Sequence, residues 1–289
     1  MAELKFKSII KDSWSRVWSR KLLWIFGALA GTGMFFYNFG DSWSSGQELA
    51  DWHAIIANLK NSFSALPQAS IFVSVWLIFF TTVLISFVCR AALIRGISDA
   101  EREANLNFGA LIRFGWKKLG RIVGIEFILN IINIGAFAAF IVLLFFGGAN
   151  YVKWLITLLA VIGLYNLFLF LFRFYIYCFA ILDDQKFVWS IKAGWKLFAG
   201  NLKPLLMTKL VEVGLRLVSV IAILIFLLLC ALPFVILAAL LGVVFGETAV
   251  MVVFIVGMAV WFVALLAAQG ICNSFFYHYL CAVFARIKE

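Results

Sequence analysis

Lys209, Glu212 and Arg216 stand at i, i+3 and i+7, a spacing that puts all three on one face of a helix. Counted from Pro204 at 1.5 Å per residue, they reach about 18 Å into an apolar segment. Ionisable side chains at that depth are costly in a membrane and mark candidate sites. Glu126, with Asn130 and Asn133 on the following turns, and Arg173 complete a conceivable cluster with Glu212 and Arg216. An ion or proton path more often leaves an acid without cations beside it. This set is balanced in sign, which favours paired charges that fix helix packing, or long side chains that snorkel to an interface.

Catalytic chemistry has little to work with. His53 and His278 are the only two histidines, too few for a metal triad. No HExxH, GxSxG, GxGxxG or phosphate-loop motif is present. No catalytic residue, metal site or cofactor is therefore expected. The adjacent carboxylates Asp183 and Asp184 point in different directions, and their place before a helix suits N-terminal capping.

The elements that must hold the candidate residues are helices in a bilayer. The chain has 289 residues, 65% apolar and only 13% charged, against about 45–50% and about 25% in soluble domains. This excludes a soluble fold, and 32 Phe and 11 Trp exclude disorder. Apolar runs at about 22–39, 70–89, 122–147, 151–180, 205–241 and 249–282 predict six transmembrane helices. Pro233 should kink the fifth. The five cysteines show no paired spacing and read as buried thiols. Twenty-one of the 24 Lys and Arg fall before span one, between spans two and three, from Arg173 to Lys209 around the link between spans four and five, or after span six. The positive-inside rule then places both termini in the cytoplasm. Arg90 is counted there as a loop cation just past span two. The outer segment from 40 to 69 should carry a short helix around Trp52, Ile55, Ile56, Leu59 and Phe63, with His53 an ordinary interfacial residue.

A motif recurs three times at identical offsets: Phe6, Ile10, Lys11 and Trp14; Phe108, Ile112, Arg113 and Trp116; Phe187, Ile191, Lys192 and Trp195. Ser13, Gly115 and Gly194 precede the tryptophans. Each copy has an apolar side and a basic side, the pattern of a helix lying in the membrane plane, and each ends where an odd-numbered span begins. The fold class expected is all-α, a single polytopic membrane domain over 1–289. It is built as three parallel repeats, 1–105, 106–185 and 186–289, each an interfacial amphipathic helix plus a two-span hairpin, around a pseudo-threefold axis. Gly27 with Gly31 and Gly242 with Gly246 allow close helix approach.

On the interfacial helices Lys11, Arg16, Arg113, Lys117, Lys118, Lys192 and Lys196 are the candidates for holding anionic lipid headgroups. Simple topological anchoring explains the same cations. Nucleic acid is not expected as a partner, because the basic clusters are short and separated by spans. Two functions of different class follow. One is a non-enzymatic module of a prokaryotic plasma membrane that organises lipids, or a membrane or cytoplasmic protein partner, at the cytoplasmic face. The other is a small transporter or channel whose path follows the threefold axis or the Glu126 and Glu212 region. Enzymology on lipids would need a polar pocket at headgroup depth.

Ile181-Leu182-Asp183-Asp184, leading to Ser190, Lys192, Trp195, Lys196, Gly200 and Asn201, resembles the segment between spans four and five of a bacterial and archaeal group of six-span proteins. That group includes the membrane domain attached to some glycerophosphodiester phosphodiesterases. Ser13-Trp14 with Arg16, and Phe108 to Gly120, look like its other cytoplasmic helices. The resemblance implies a membrane module. The phosphodiesterase catalytic domain is not in the sequence, so no active-site residue or metal carries over.

Overall fold

The computed structural model describes residues 6–39, 68–102, 104, 106–146 and 151–288. These form eight helices: α1 (Phe6–Ser19), α2 (Leu22–Phe39), α3 (Gln68–Glu101), α4 (Phe108–Phe146), α5 (Tyr151–Ile181), α6 (Phe187–Gly200), α7 (Leu202–Phe245) and α8 (Glu247–Lys288). No strand occurs among the described residues. The segment expected to carry the outer helix and His53 lies outside them.

Five helices, α3, α4, α5, α7 and α8, are long and apolar enough to cross a membrane, and α2 carries a shorter apolar stretch, Leu22–Gly31. The fold class is that of a polytopic helical membrane protein. The helices outrun the sequence-based spans. The 44 residues of α7 extend about 66 Å at 1.5 Å per residue, twice a hydrocarbon core of about 30 Å.

Burial is uneven along that length. The core is built from the late parts of α3, α5 and α8, where Leu93, Ile94, Ile97, Tyr175, Ile176 and Tyr279 are almost fully enclosed. These three helices touch one another at the centre. Between residues 217 and 263 only Leu227, Val253 and Gly257 are buried among the described side chains. The protein is therefore packed tightly at one end, here termed the basic end, and presents apolar surface over the rest.

Each copy of the Phe, Ile, cation, Trp motif packs through the small residue before its tryptophan. Ser13 Oγ meets His278 Nδ1 of α8 at 3.1 Å. Gly115 lies so close to the Val88 carbonyl of α3 that a Cβ has no room, and Gly194 abuts Ile176 of α5 in the same way. Trp14, Trp116 and Trp195 remain 49%, 54% and 49% exposed. The tryptophans stay half-exposed, Trp14 with its ring edge against Phe275 of α8 and Trp195 beside Phe168 and Phe172 of α5, while the small residues make the closest approach.

The copies differ in how they end. α6 stops because Pro204 lacks an N–H and its ring would strike the carbonyl four residues back, at Gly200; Asn201 takes the C-cap, its N–H on Phe198 O. α1 stops before Arg20, where the Val17 carbonyl takes the Arg20 N–H at 3.3 Å and the indole N–H of Trp24 at 2.9 Å. Nothing comparable stands after Trp116, so the second copy is not a separate interfacial helix. It runs unbroken into the span as the first turns of α4.

Glycine sets the closest helix crossing. A Cβ on Gly27 of α2 would collide with Gly270 O and Ser274 Oγ of α8, and one on Gly270 with Trp24 O. Ser274 Oγ donates to Leu23 O at 2.7 Å and Asn273 Nδ2 to Gly27 O at 3.1 Å. Gly242 and Gly246 do something else: Gly246, at φ 77°, ends α7 with its N–H on Gly242 O at 3.0 Å. The chain needs glycine there because other side chains rarely adopt a left-handed backbone.

Candidate functional site

Six of the seven surface cations expected to meet headgroups, Lys11, Arg16, Arg113, Lys117, Lys192 and Lys196, are exposed. Lys118 departs from that expectation. It is buried at 6% exposure, lies over the Phe114 ring and pairs with Asp184 together with Arg121. The two cations beside it hold the Asp184 carboxyl below the usual carboxylate range.

This pairing also corrects the reading of Asp183 and Asp184. The N-cap of α6 is Lys186, and no side chain caps it. Asp183 instead binds Lys288 at the end of α8 at 2.6 Å, and Asp184 binds the first turns of α4. The two carboxylates tie α8 and α4 to the link between α5 and α6. Asp184 occupies φ 56°, a conformation Asp tolerates better than most residues.

A groove of about 580 Å³ runs along α6, lined by Gln185, Lys186, Trp189, Lys192, Ala193 and Lys196. Trp189 is well exposed, and Lys192 Nζ lies 5.6 Å from its ring centroid. Three ammonium groups beside an amphipathic ring suit an anionic, partly apolar ligand.

The interior charges form two groups rather than one, with no hydrogen bond or ion pair joining them among the described residues. In the first, Glu126 of α4 binds Arg90 of α3 at 2.9 Å and also Arg173 and Tyr177 of α5. Asn130 Nδ2 donates to the same carboxylate at 2.9 Å. A ladder continues through Asn133 to Asn166 of α5, with bonds of 3.1 to 3.2 Å. In the second, Glu212 accepts Lys209 at 2.7 Å and Arg216 at 2.8 and 2.9 Å. Lys209 Nζ stands 4.5 Å from the Phe170 ring centroid, and Arg216 Cζ stands 4.4 Å from that of Phe276.

No protein-family model, curated protein or solved structure matches this chain. The side chains and their placement carry the functional reading by themselves.

Arg90 is the residue the sequence misplaced. Hydropathy ends span two at Cys89 and leaves Arg90 to the loop, yet α3 continues for eleven residues beyond it. Its partners lie 36 and 87 positions away. The one local sign is position: Arg90 interrupts an apolar run that resumes at Ala91-Ala92-Leu93-Ile94, which a loop rarely does. With Arg90 included, the sign balance changes to four cations, Arg90, Arg173, Lys209 and Arg216, against two acids, Glu126 and Glu212.

Proposed function

We propose that the chain is a non-enzymatic module of a prokaryotic cytoplasmic membrane that gathers anionic lipid headgroups at its cytoplasmic face, where a protein partner would meet the same surface. In this reading α2 supplies the sixth span, and the basic end with both termini is cytoplasmic. The three copies of the motif open three parallel repeats, 1–105, 106–185 and 186–289. The supporting regularity is cyclic: the first copy packs on α8, the second on α3 and the third on α5. Each therefore leans on the last helix of the preceding unit, and the first on the last helix of the third, as a closed pseudo-threefold ring requires. The likeness to the six-span group is part of the same proposal.

The observation that carries the lipid reading is the α6 groove, with Lys186, Lys192 and Lys196 beside exposed Trp189. Each cation near an anionic surface contributes about 1 kcal/mol, and tryptophan favours the headgroup level. The transporter reading draws less support, because Glu126 and Glu212 each bind two cations.

The test is lipid enrichment around the purified protein in nanodiscs of phosphatidylglycerol and phosphatidylcholine. Replacing Lys186, Lys192 and Lys196 together by Glu should remove the phosphatidylglycerol excess, and unchanged enrichment would defeat the proposal. Lys117 and Lys118 are better left in place, because reversing Lys118 would set two acids against each other at Asp184.

A further inference from the structure

The Glu126 group is short of acceptors. Its carboxylate takes four donors: Arg90 and Tyr177 on Oε1, Arg173 and Asn130 on Oε2. The Tyr177 oxygen, which donates to Glu126, already receives Arg90 at 3.3 Å and Arg173 at 3.2 Å. Arg90 Nε is buried and has no hydrogen-bond partner among the described residues. A buried N–H without an acceptor is unfavourable, and a surplus guanidinium charge at this depth is more so.

The surplus has an accessible edge. The Arg90 side chain is 6% exposed and that of Arg173 29%. The cations of the Glu212 group each lie over an aromatic ring, and Arg90 lies near Phe87 and Tyr177. Among the described residues Arg173 faces no ring, so its free N–H groups lack even that partner. An arginine with an open edge, braced by a saturated carboxylate, binds planar or tetrahedral oxyanions through paired N–H bonds.

From this deficit we propose that Arg173, with Arg90 behind it, forms an anion site that takes a phosphate-type group between α4 and α5. The ligand supplies the charge and the acceptors the protein lacks. Glu126 lies ten residues past Trp116, about 15 Å along α4. None of its residues lines the lysine groove of α6, and its ligand is either a lipid phosphate drawn inward or a free phosphate ion.

Calorimetric titration of the full chain, in phospholipid-free detergent and phosphate-free buffer, separates these sources. Inorganic phosphate is added in one arm, and a short-chain phosphatidylglycerol in the other. Both arms use the chain with Lys186, Lys192 and Lys196 replaced by Gln, so that the α6 groove cannot contribute; one saturable site is expected in either arm, weakened at least tenfold when Arg173→Gln is added. Binding in the phosphate arm assigns the free ion, and binding in the lipid arm alone assigns the lipid. Arg173→Lys, which keeps the charge without the fork, should stay folded and bind with intermediate strength. Absence of binding in both arms, or undiminished binding when Arg173→Gln is added to the folded chain, would overturn the site. Failure of lipid enrichment in nanodiscs would leave it standing, since that depends on α6.

Discussion

Arg90 of α3 and Glu126 of α4 meet at 2.9 Å with side chains 6% and 9% exposed, an ion pair sealed inside the packed end of the protein. A buried pair of this kind adds little over an apolar match, but breaking it leaves one charge stranded. Glu126→Gln strands two, Arg90 and Arg173. The variant should lose about 3–5 kcal/mol, read as reversible unfolding in mixed micelles. A loss under 1 kcal/mol would show that the three helices do not depend on this carboxylate.

The α2–α8 crossing offers a cleaner steric test. Gly27→Ala places a methyl against Gly270 O and Ser274 Oγ, and overpacking of this sort costs about 1–3 kcal/mol. Gly163→Ala in α5 has nothing within 4 Å among the described residues and should match or exceed the wild type, since alanine is the better helix former. Thermal midpoints of the two variants should move in opposite directions. Equal shifts would refute the close approach.

Asp184 predicts a pH dependence. Lys118 and Arg121 lower its pKa in the folded protein, below an unfolded value of about 3.9. Its contribution to stability is then present above that unfolded value and disappears as pH falls through the folded one. Asp184→Asn keeps a residue that tolerates positive φ and removes the charge. The wild-type advantage over it should be constant above about pH 5 and shrink below about pH 4. A difference that stays flat down to pH 3 would contradict the pairing.

If Glu212 is held by Lys209 and Arg216 for packing, reconstituted liposomes should show no proton or ion flux. Dye-reported flux present in the wild type and absent in Glu212→Gln would return the transporter reading to first place. Glu212 is 1% exposed and its partners share its helix, so the variant's effect on folding must be followed alongside.

The helical class and the three copies of the motif were legible from apolar runs and offsets, because both are local properties. The orientation of those copies was not. Apolar periodicity shows that a helix has a face, but in a bilayer lipid and protein are equally apolar. The spacing of Trp14, Trp116 and Trp195 marks each copy but does not show that the closest approaches are made by Ser13, Gly115 and Gly194. Glu126, Arg173, Glu212 and Arg216 could be found one by one from their depth. Their division into two groups depends on which helices meet, as does the burial of Lys118, and neither is written in spacing. Arg90 escaped because a windowed hydropathy average places a boundary at the first charge, whereas this helix buries that charge.

The unbroken second copy has a mechanical consequence. α1 and α6 each meet their following helix at a joint, Arg20–Lys21 in one case and Asn201 in the other, so neither is continuous with the helix that follows it. α4 has no joint between Trp116 and Glu126. It is a lever: a force that tips its surface turns swings the carboxylate to which α3 and α5 are tied.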